Sequence, residues 1–213
     1  MKYSHIIWDF NGTLIDDLQY AIDTINTLLK RRGLKMIETQ EEYLSNFDFP
    51  VLKYYENLGF DFSKESYDDV AVEWHSQYIK FAENATVFDD VRETIATFKN
   101  GGLKQIVLSA TEISLLKKQL TSLKLTDEFS DLLALDNLYA ASKVEIGKAW
   151  AEREKPKKAL LIGDTTHDFE VACEIGVDCV LVARGHHGKK RLLACNCPVF
   201  NDLSEVRKYV FNN

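Results

Sequence analysis

The sequence predicts an α/β fold in which a parallel sheet is flanked by helices, and three observations carry that prediction. Short apolar runs recur along the 213 residues, most of them continuous rather than alternating in polarity, as strands buried on both faces are. Helical patterns separate these runs, and strand–helix–strand alternation builds a parallel sheet. The stretch 16–85 breaks the alternation with aromatic-rich helical segments and is too long for an ordinary crossover.

His5–Phe10 is the first strand. Asp16 or Asp17 can cap the helix that follows, whose apolar positions are Ala21, Ile22, Ile25, Leu28 and Leu29 and which ends at Gly33. Further helices are expected around Val51–Leu58 and Val70–Phe81, with no convincing strand before residue 86. Val91, Ile95 and Phe98 mark a helix stopped by Asn100-Gly101-Gly102, and Leu115, Leu116, Leu120 and Leu123 mark another. The remaining strands are Leu103–Ser109, Asp131–Leu135, Lys158–Gly163 and Cys179–Ala183. Residues 1–15 and 86–213 are thus expected to form an α/β core, and 16–85 a helical insertion over it.

Composition narrows the function classes. The 26 Lys and Arg against 33 Asp and Glu leave a formal charge of −7. That balance argues against nucleic acid or an anionic membrane as the main partner, but a small anion needs only two or three local cations. No apolar run approaches the roughly 18 residues of a membrane-spanning helix, and no signal peptide is expected, since the apolar stretch at the start is too short for one. Cys173, Cys179, Cys195 and Cys197 lack metal-ligand spacing and are too few for a disulfide framework. They read as reduced thiols of a cytoplasmic protein.

The chemistry-bearing residues gather at strand ends. In Trp8-Asp9-Phe10-Asn11-Gly12-Thr13-Leu14, a carboxylate closes a buried strand before a tight turn, at the sheet edge where ligands bind in open α/β folds. Gly12 permits close backbone approach, and Thr13 offers a hydroxyl and an N–H. Ser109 and Ala110 end the second core strand. Asp164 and Asp168 follow Leu160-Leu161-Ile162-Gly163, with the spacing at which two carboxylates converge on one hard cation.

Together these segments resemble the four motifs of the haloacid dehalogenase-like (HAD) phosphohydrolases, and the placement of the helical insertion resembles their phosphoglycolate phosphatase-like branch. The resemblance implies a Rossmann-like core with a helical cap. It also implies Asp9 as nucleophile, Ser109 and Ala110 with Gly12 and Thr13 around the phosphate, and Lys143 as the charge-neutralising lysine, with Lys148 as its rival. Mg2+ would be held by Asp9, the Asn11 carbonyl, Asp164 and Asp168. The substrate would be a small phosphorylated metabolite, with phosphoglycolate as the default. The protein would act as a monomer or weak homodimer, without nucleic acid or membrane.

Asn11 departs from the family pattern, D-x-D-G-T-[LV], whose second Asp serves as acid and base. An amide donates hydrogen bonds but transfers no proton at neutral pH, and losing such a group costs about 10²–10⁴ in rate. A natural variant suited to activated phosphates, a weakened enzyme and an engineered substitution all account for it. Rival readings are a haloacid dehalogenase, which the paired Asp164 and Asp168 oppose, a mutase, and a phosphate-binding regulatory protein. His167 reads as a rim or helix-capping residue, with the missing acid as its alternative role. The run Arg184–Arg191 reads as a solvated turn rather than a source of positive charge. Tyr54, Tyr55, Trp74 and Tyr78 read as the insertion's own core, with one or two facing substrate. Lys53 and Arg32 are its candidate selecting cations.

Overall fold

A computed structural model describes residues 2–137 and 143–212. Its central strand β1 (His5–Trp8) is buried on both faces. The chain then forms a two-residue strand β2 (Ile15–Asp16) and four helices, α1 (Leu18–Arg31), α2 (Gln40–Asn46), α3 (Val51–Asn57) and α4 (Tyr67–Phe81). Strand β3 (Thr86–Val87) pairs antiparallel with β2, so a two-stranded ribbon brackets the helical segment. The sequence contains no periodic signal for strands this short.

From there strands and helices alternate: α5 (Val91–Asn100), β4 (Lys104–Glu112), α6 (Ile113–Ser122), β5 (Asp131–Leu135), α7 (Val144–Glu154), β6 (Ala159–Gly163), α8 (Thr166–Ile175) and β7 (Asp178–Val182). A four-residue helix α9 (Lys189–Leu192), a short strand β8 (Val199–Phe200) and α10 (Leu203–Asn212) complete the chain. The sheet order is β5-β4-β1-β6-β7-β8, with every pairing parallel. The chain winds outward from β1 in both directions, so the crevice of the switch point opens at the C-terminal end of β1. The five expected core strands are present. Strand β4 runs on to Glu112, with a register irregularity between Leu108 and Glu112.

Side chains alternate across the sheet and feed two cores. Ile6 and Trp8 join Phe98, Leu116 and Val206 on one side; Ile7 joins Leu161, Trp150 and Val171 on the other. The one polar edge of Trp8 is satisfied inside, its indole N–H donating to Gln105 at 3.0 Å. A third cluster, including Ile25, Leu28, Tyr54, Tyr55 and Val70, belongs to the helical segment. Among the described residues the four cysteines form no disulfide, and no helix is long and apolar enough to cross a membrane.

Candidate active site

Strand β1 delivers Asp9 to the crevice, where its carboxylate is nearly buried. The chain then turns at Gly12, whose φ is +69°, and a Cβ there would collide with the Asp164 carboxylate. Only glycine lets the turn lie against that side chain. Helix α8 supplies Asp168 and begins with a capping box: Thr165 Oγ1 caps the Asp168 N–H, and Asp168 accepts in return from Thr165. Both oxygens of Asp168 are therefore engaged, one by Thr165 and the Asp164 N–H, the other by Lys143 at 2.7 Å.

Lys143 is fully buried and bridges Asp9 and Asp168, donating also to the Leu108 carbonyl at 3.1 Å. Lys148 instead pairs with Glu174 on the surface. Residues Ala141 and Ser142, which flank Lys143 in the expected motif, lie outside the described residues. Ser109 is buried at the end of the same crevice and accepts from the Thr111 N–H. Thr13 donates its hydroxyl to Asp164 at 2.8 Å. The cavity surface holds Asp9, Asn11, Ser109, Ala110, Lys143, Asp164 and Asp168, while Gly12 and Thr13 lie behind it.

Burial raises the Asp9 carboxyl well above the usual carboxylate range; Lys143 opposes this and the neighbouring Asp168 and Asp164 reinforce it. Asp164 is pushed up to about 6, again chiefly by burial, with His186 opposing. For Asp168 burial is outweighed by Lys143 and Thr165, which hold it below the ordinary value. Three buried carboxylates thus face one lysine, and Asp9, Asp164 and Asp168 each present an oxygen within 4.8 Å of the others. An all-oxygen donor set with excess negative charge suits a hard divalent cation, so the residues fit the metal that the resemblance implies.

The side chain of Asn11 is held on every side. Its Nδ2 donates to Asp17 at 2.7 Å and to the Tyr78 hydroxyl at 2.8 Å, and its Oδ1 accepts from Thr111 at 2.7 Å. Asp17 occupies the N-terminal position of α1 but makes no cap bond. It accepts instead from the Gly12 N–H at 2.8 Å, Tyr78 at 2.7 Å and His186 Nε2 at 3.2 Å. The helix-cap expectation for Asp17 is corrected accordingly, because a buried carboxylate with four such donors turns toward them. Burial would raise Asp17, yet His186 and these hydrogen bonds bring it below the ordinary value. Conversely, burial would lower His186, but Asp17 first, then Asp164 and Asp9, carry it to about 9.

The expectation of a solvated turn after β7 is also overturned. A Cβ at Gly185 would overlap Asp164, the His186 N–H donates to Asp164 at 2.6 Å, and the His186 ring reaches Tyr43 at 3.0 Å. Arg184 is committed to Asp90 and the Thr13 carbonyl. His187 Nδ1, rather than His167, accepts from the Thr166 N–H at the start of α8. His167 instead stacks on Phe49 at 4.6 Å. Sequence reasoning missed His186, Asp17 and Thr111 as site residues. For His186 the available signal was Gly185, three residues past the end of β7 at the same sheet edge as the motifs.

The helical segment roofs a cavity of about 160 Å3. Tyr54, Tyr55, Trp74 and Tyr78 all line it, joined by Phe47 and Phe49. The candidate cations do not: Lys53 is exposed, and Arg32 pairs with Glu65 and Glu73 over the Phe60 ring.

Three comparisons bear on this arrangement. A family model described as haloacid dehalogenase-like hydrolase matches residues 6–182. A protein of Caldanaerobacter subterraneus subsp. tengcongensis carrying the provisional name pyrophosphatase PpaX is 28% identical over 189 residues, covering 85% of this chain and 82% of its own. A phosphoglycolate phosphatase of Psychrobacter arcticus is 23% identical over 218 residues, covering 96% and 94%. Among solved structures, a haloacid dehalogenase-like family hydrolase from Streptococcus pneumoniae superposes with a TM-score of 0.85 at 17% identity, over 98% of this chain and 99% of that one.

Proposed function

Because the chain belongs to the haloacid dehalogenase-like hydrolase family, we propose that it is a Mg2+-dependent phosphatase of small phosphomonoesters, acting through a phosphorylated Asp9. The observation that carries this reading is the burial of Asp9 beside Lys143, Asp164 and Asp168 at the end of the central strand. Pyrophosphate and phosphoglycolate are named for the relatives, and phosphoglycolate is the default that the resemblance suggests.

In the first step an Asp9 oxygen forms a bond to phosphorus, and the ester P–O bond breaks with its electron pair leaving on the ester oxygen. Lys143, Ser109 and nearby backbone N–H groups face the charge that builds on the phosphoryl oxygens. Asn11 holds its neighbours in place but supplies no proton, so the departing oxygen takes one from water. In the second step water attacks the phosphorus, the bond to Asp9 breaks, and phosphate leaves with the proton passing to it or to solvent. A divalent cation at Asp9, Asp164, Asp168 and the Asn11 carbonyl would supply positive charge to the phosphoryl oxygens and favour ionised Asp9.

We read residues 16–85 as a cap that closes over the ester and excludes water, with the β2–β3 ribbon as its attachment. The same reading takes the protein as cytoplasmic, monomeric or weakly dimeric, and independent of nucleic acid and membranes. Phosphate release measured with Mg2+ and with a chelator tests the proposal. Release from acetyl phosphate and simple esters should need Mg2+ and disappear in Asp9→Ala; activity surviving in that variant would sink the mechanism.

A further inference from the structure

We infer that the ester this site takes carries a small, uncharged aromatic leaving group, making it an aryl phosphate rather than a phosphorylated acid or a diphosphate. The inference rests on the phosphatase reading above and concerns the part of the cavity lined by the helical segment.

The walls there are aromatic. Trp74 stacks on Tyr78 with ring centroids 4.7 Å apart, Phe47 meets Tyr54 at 5.2 Å, and Phe49 covers His167. Flat apolar walls favour a ring through burial and stacking. The whole cavity, phosphoryl end included, measures about 160 Å3, the scale of a roughly 150 Å3 apolar cavity that holds one benzene, so the leaving group it takes is small. The Tyr54 hydroxyl is buried and has no partner among the described residues, so a neutral polar substituent on the ring would find a hydrogen bond there.

Charge points the same way. Among the described residues lining the cavity Lys143 is the only Lys or Arg, and its ammonium is already shared by Asp9 and Asp168. In sequence, residues 138–142 contain no Lys or Arg either. His186 is tied to Asp17, and burial draws His75 below the ordinary value, toward its neutral form. Asp17 and Glu112 meanwhile add carboxylates to the lining. Of the lining histidines, His167 holds Glu170 through Nδ1 and keeps its Nε2 without a partner among the described residues. A glycolate carboxylate or a second phosphoryl group would be desolvated here beside anions with no free Lys or Arg to receive it.

Asn11 supplies the third, independent argument. Its amide protons are spent on Asp17 and Tyr78, so Asn11 gives the departing ester oxygen neither a proton nor a hydrogen bond. A phenol, with a pKa near about 10, departs as its anion far more readily than an alcohol, whose pKa lies near that of water at about 15.7. During transfer the P–O bond breaks with its pair on the phenolate oxygen, and Asp9 takes the phosphoryl group.

Steady-state kinetics with Mg2+ on four substrates test the inference: phenyl phosphate, benzyl phosphate, phosphoglycolate and acetyl phosphate. Phenyl phosphate should exceed phosphoglycolate in kcat/KM by at least about 100-fold. Benzyl phosphate, with the same ring on an alcohol, should match phenyl phosphate in KM within about threefold but fall at least about 100-fold behind in kcat. If acetyl phosphate is hydrolysed while phosphoglycolate equals or beats phenyl phosphate, the inference fails and the phosphatase reading stands. If none of the four releases phosphate, the phosphatase reading fails and takes this inference with it.

Discussion

Replacing Asn11 by Asp restores a carboxyl at the position where the family pattern has one, and the surrounding geometry sets what that carboxyl would do. Asn11 Nδ2 lies 2.7 Å from Asp17 Oδ2, so the new carboxylate would sit at that distance from an existing one. At an effective dielectric constant of about 20, two unit charges 2.7 Å apart repel by about 6 kcal/mol, equivalent to more than four pKa units. His186 offsets part of this, but the pair should still retain one proton at neutral pH. That proton is what a leaving alcohol needs. Benzyl phosphate and phosphoglycolate turnover should therefore rise about 10²–10⁴-fold, with acetyl phosphate changing less than about tenfold. The gain should fade on the alkaline side as the shared proton is lost. Stability should move oppositely to that of an ordinary salt-bridged acid. A folded-state pKa raised above the unfolded value makes the variant progressively less stable than wild type as pH climbs from about 4 toward the raised pKa. Stopped-time phosphate assays across pH and urea midpoints at pH 5 and 8 measure both effects. Alkyl and acyl substrates rising in parallel, or neither rising, would refute the argument that the missing acid limits turnover.

Two further predictions concern the neighbours of that turn. His186, at about 9 when folded against about 6.5 unfolded, contributes stability that is full below pH 6.5 and is lost as pH rises through 9. Wild type should thus exceed His186→Gln by about 3 kcal/mol at pH 6 in the absence of metal, shrinking by pH 10; a difference independent of pH in urea titrations would remove the charged pair from the account. Gly185→Ala, which drives a methyl into Asp164, should cut kcat at least about 100-fold while circular dichroism stays native, because a misplaced carboxylate costs more in rate than in fold. Unchanged kcat would mean that Asp164 has room to move.

The sheet was legible from sequence because each core strand is a continuous apolar run bounded by glycine or polar residues, and burial on both faces imposes that pattern. Asp9 and Asp164 were legible because each stands at the end of such a run, with Asp168 four residues further on; Lys143 came from the family resemblance alone, and the structure brings all four side chains together. Asp17 and His186 were not. They stand 169 positions apart, and each looks locally like something commoner, a helix cap and a solvated turn. Only the fold, which brings the start of α1 against the post-β7 loop, turns them into a pair. The two-residue strands of the ribbon were invisible because nothing repeats within two residues. The aromatic residues of the helical segment could be seen as apolar, but whether they faced one another or a cavity depended on how α1, α3 and α4 pack.

The grip of Asp17 on the β1 turn also bears on how long the protein lasts. Asn-Gly is the pair most prone to lose its amide, since the unhindered glycine nitrogen attacks the asparagine side chain to form a succinimide. Here the Gly12 N–H is held by Asp17 at 2.8 Å, and the Asn11 amide is pinned at both ends by Asp17, Tyr78 and Thr111. The nucleophile is thus tied to a third group, and its target is not free to turn toward it. The folded chain should keep this chemical clock nearly stopped, and each local opening of the turn should let it advance. A stored sample would then accumulate Asp or isoaspartate at position 11 at a rate that reports how often the turn comes apart.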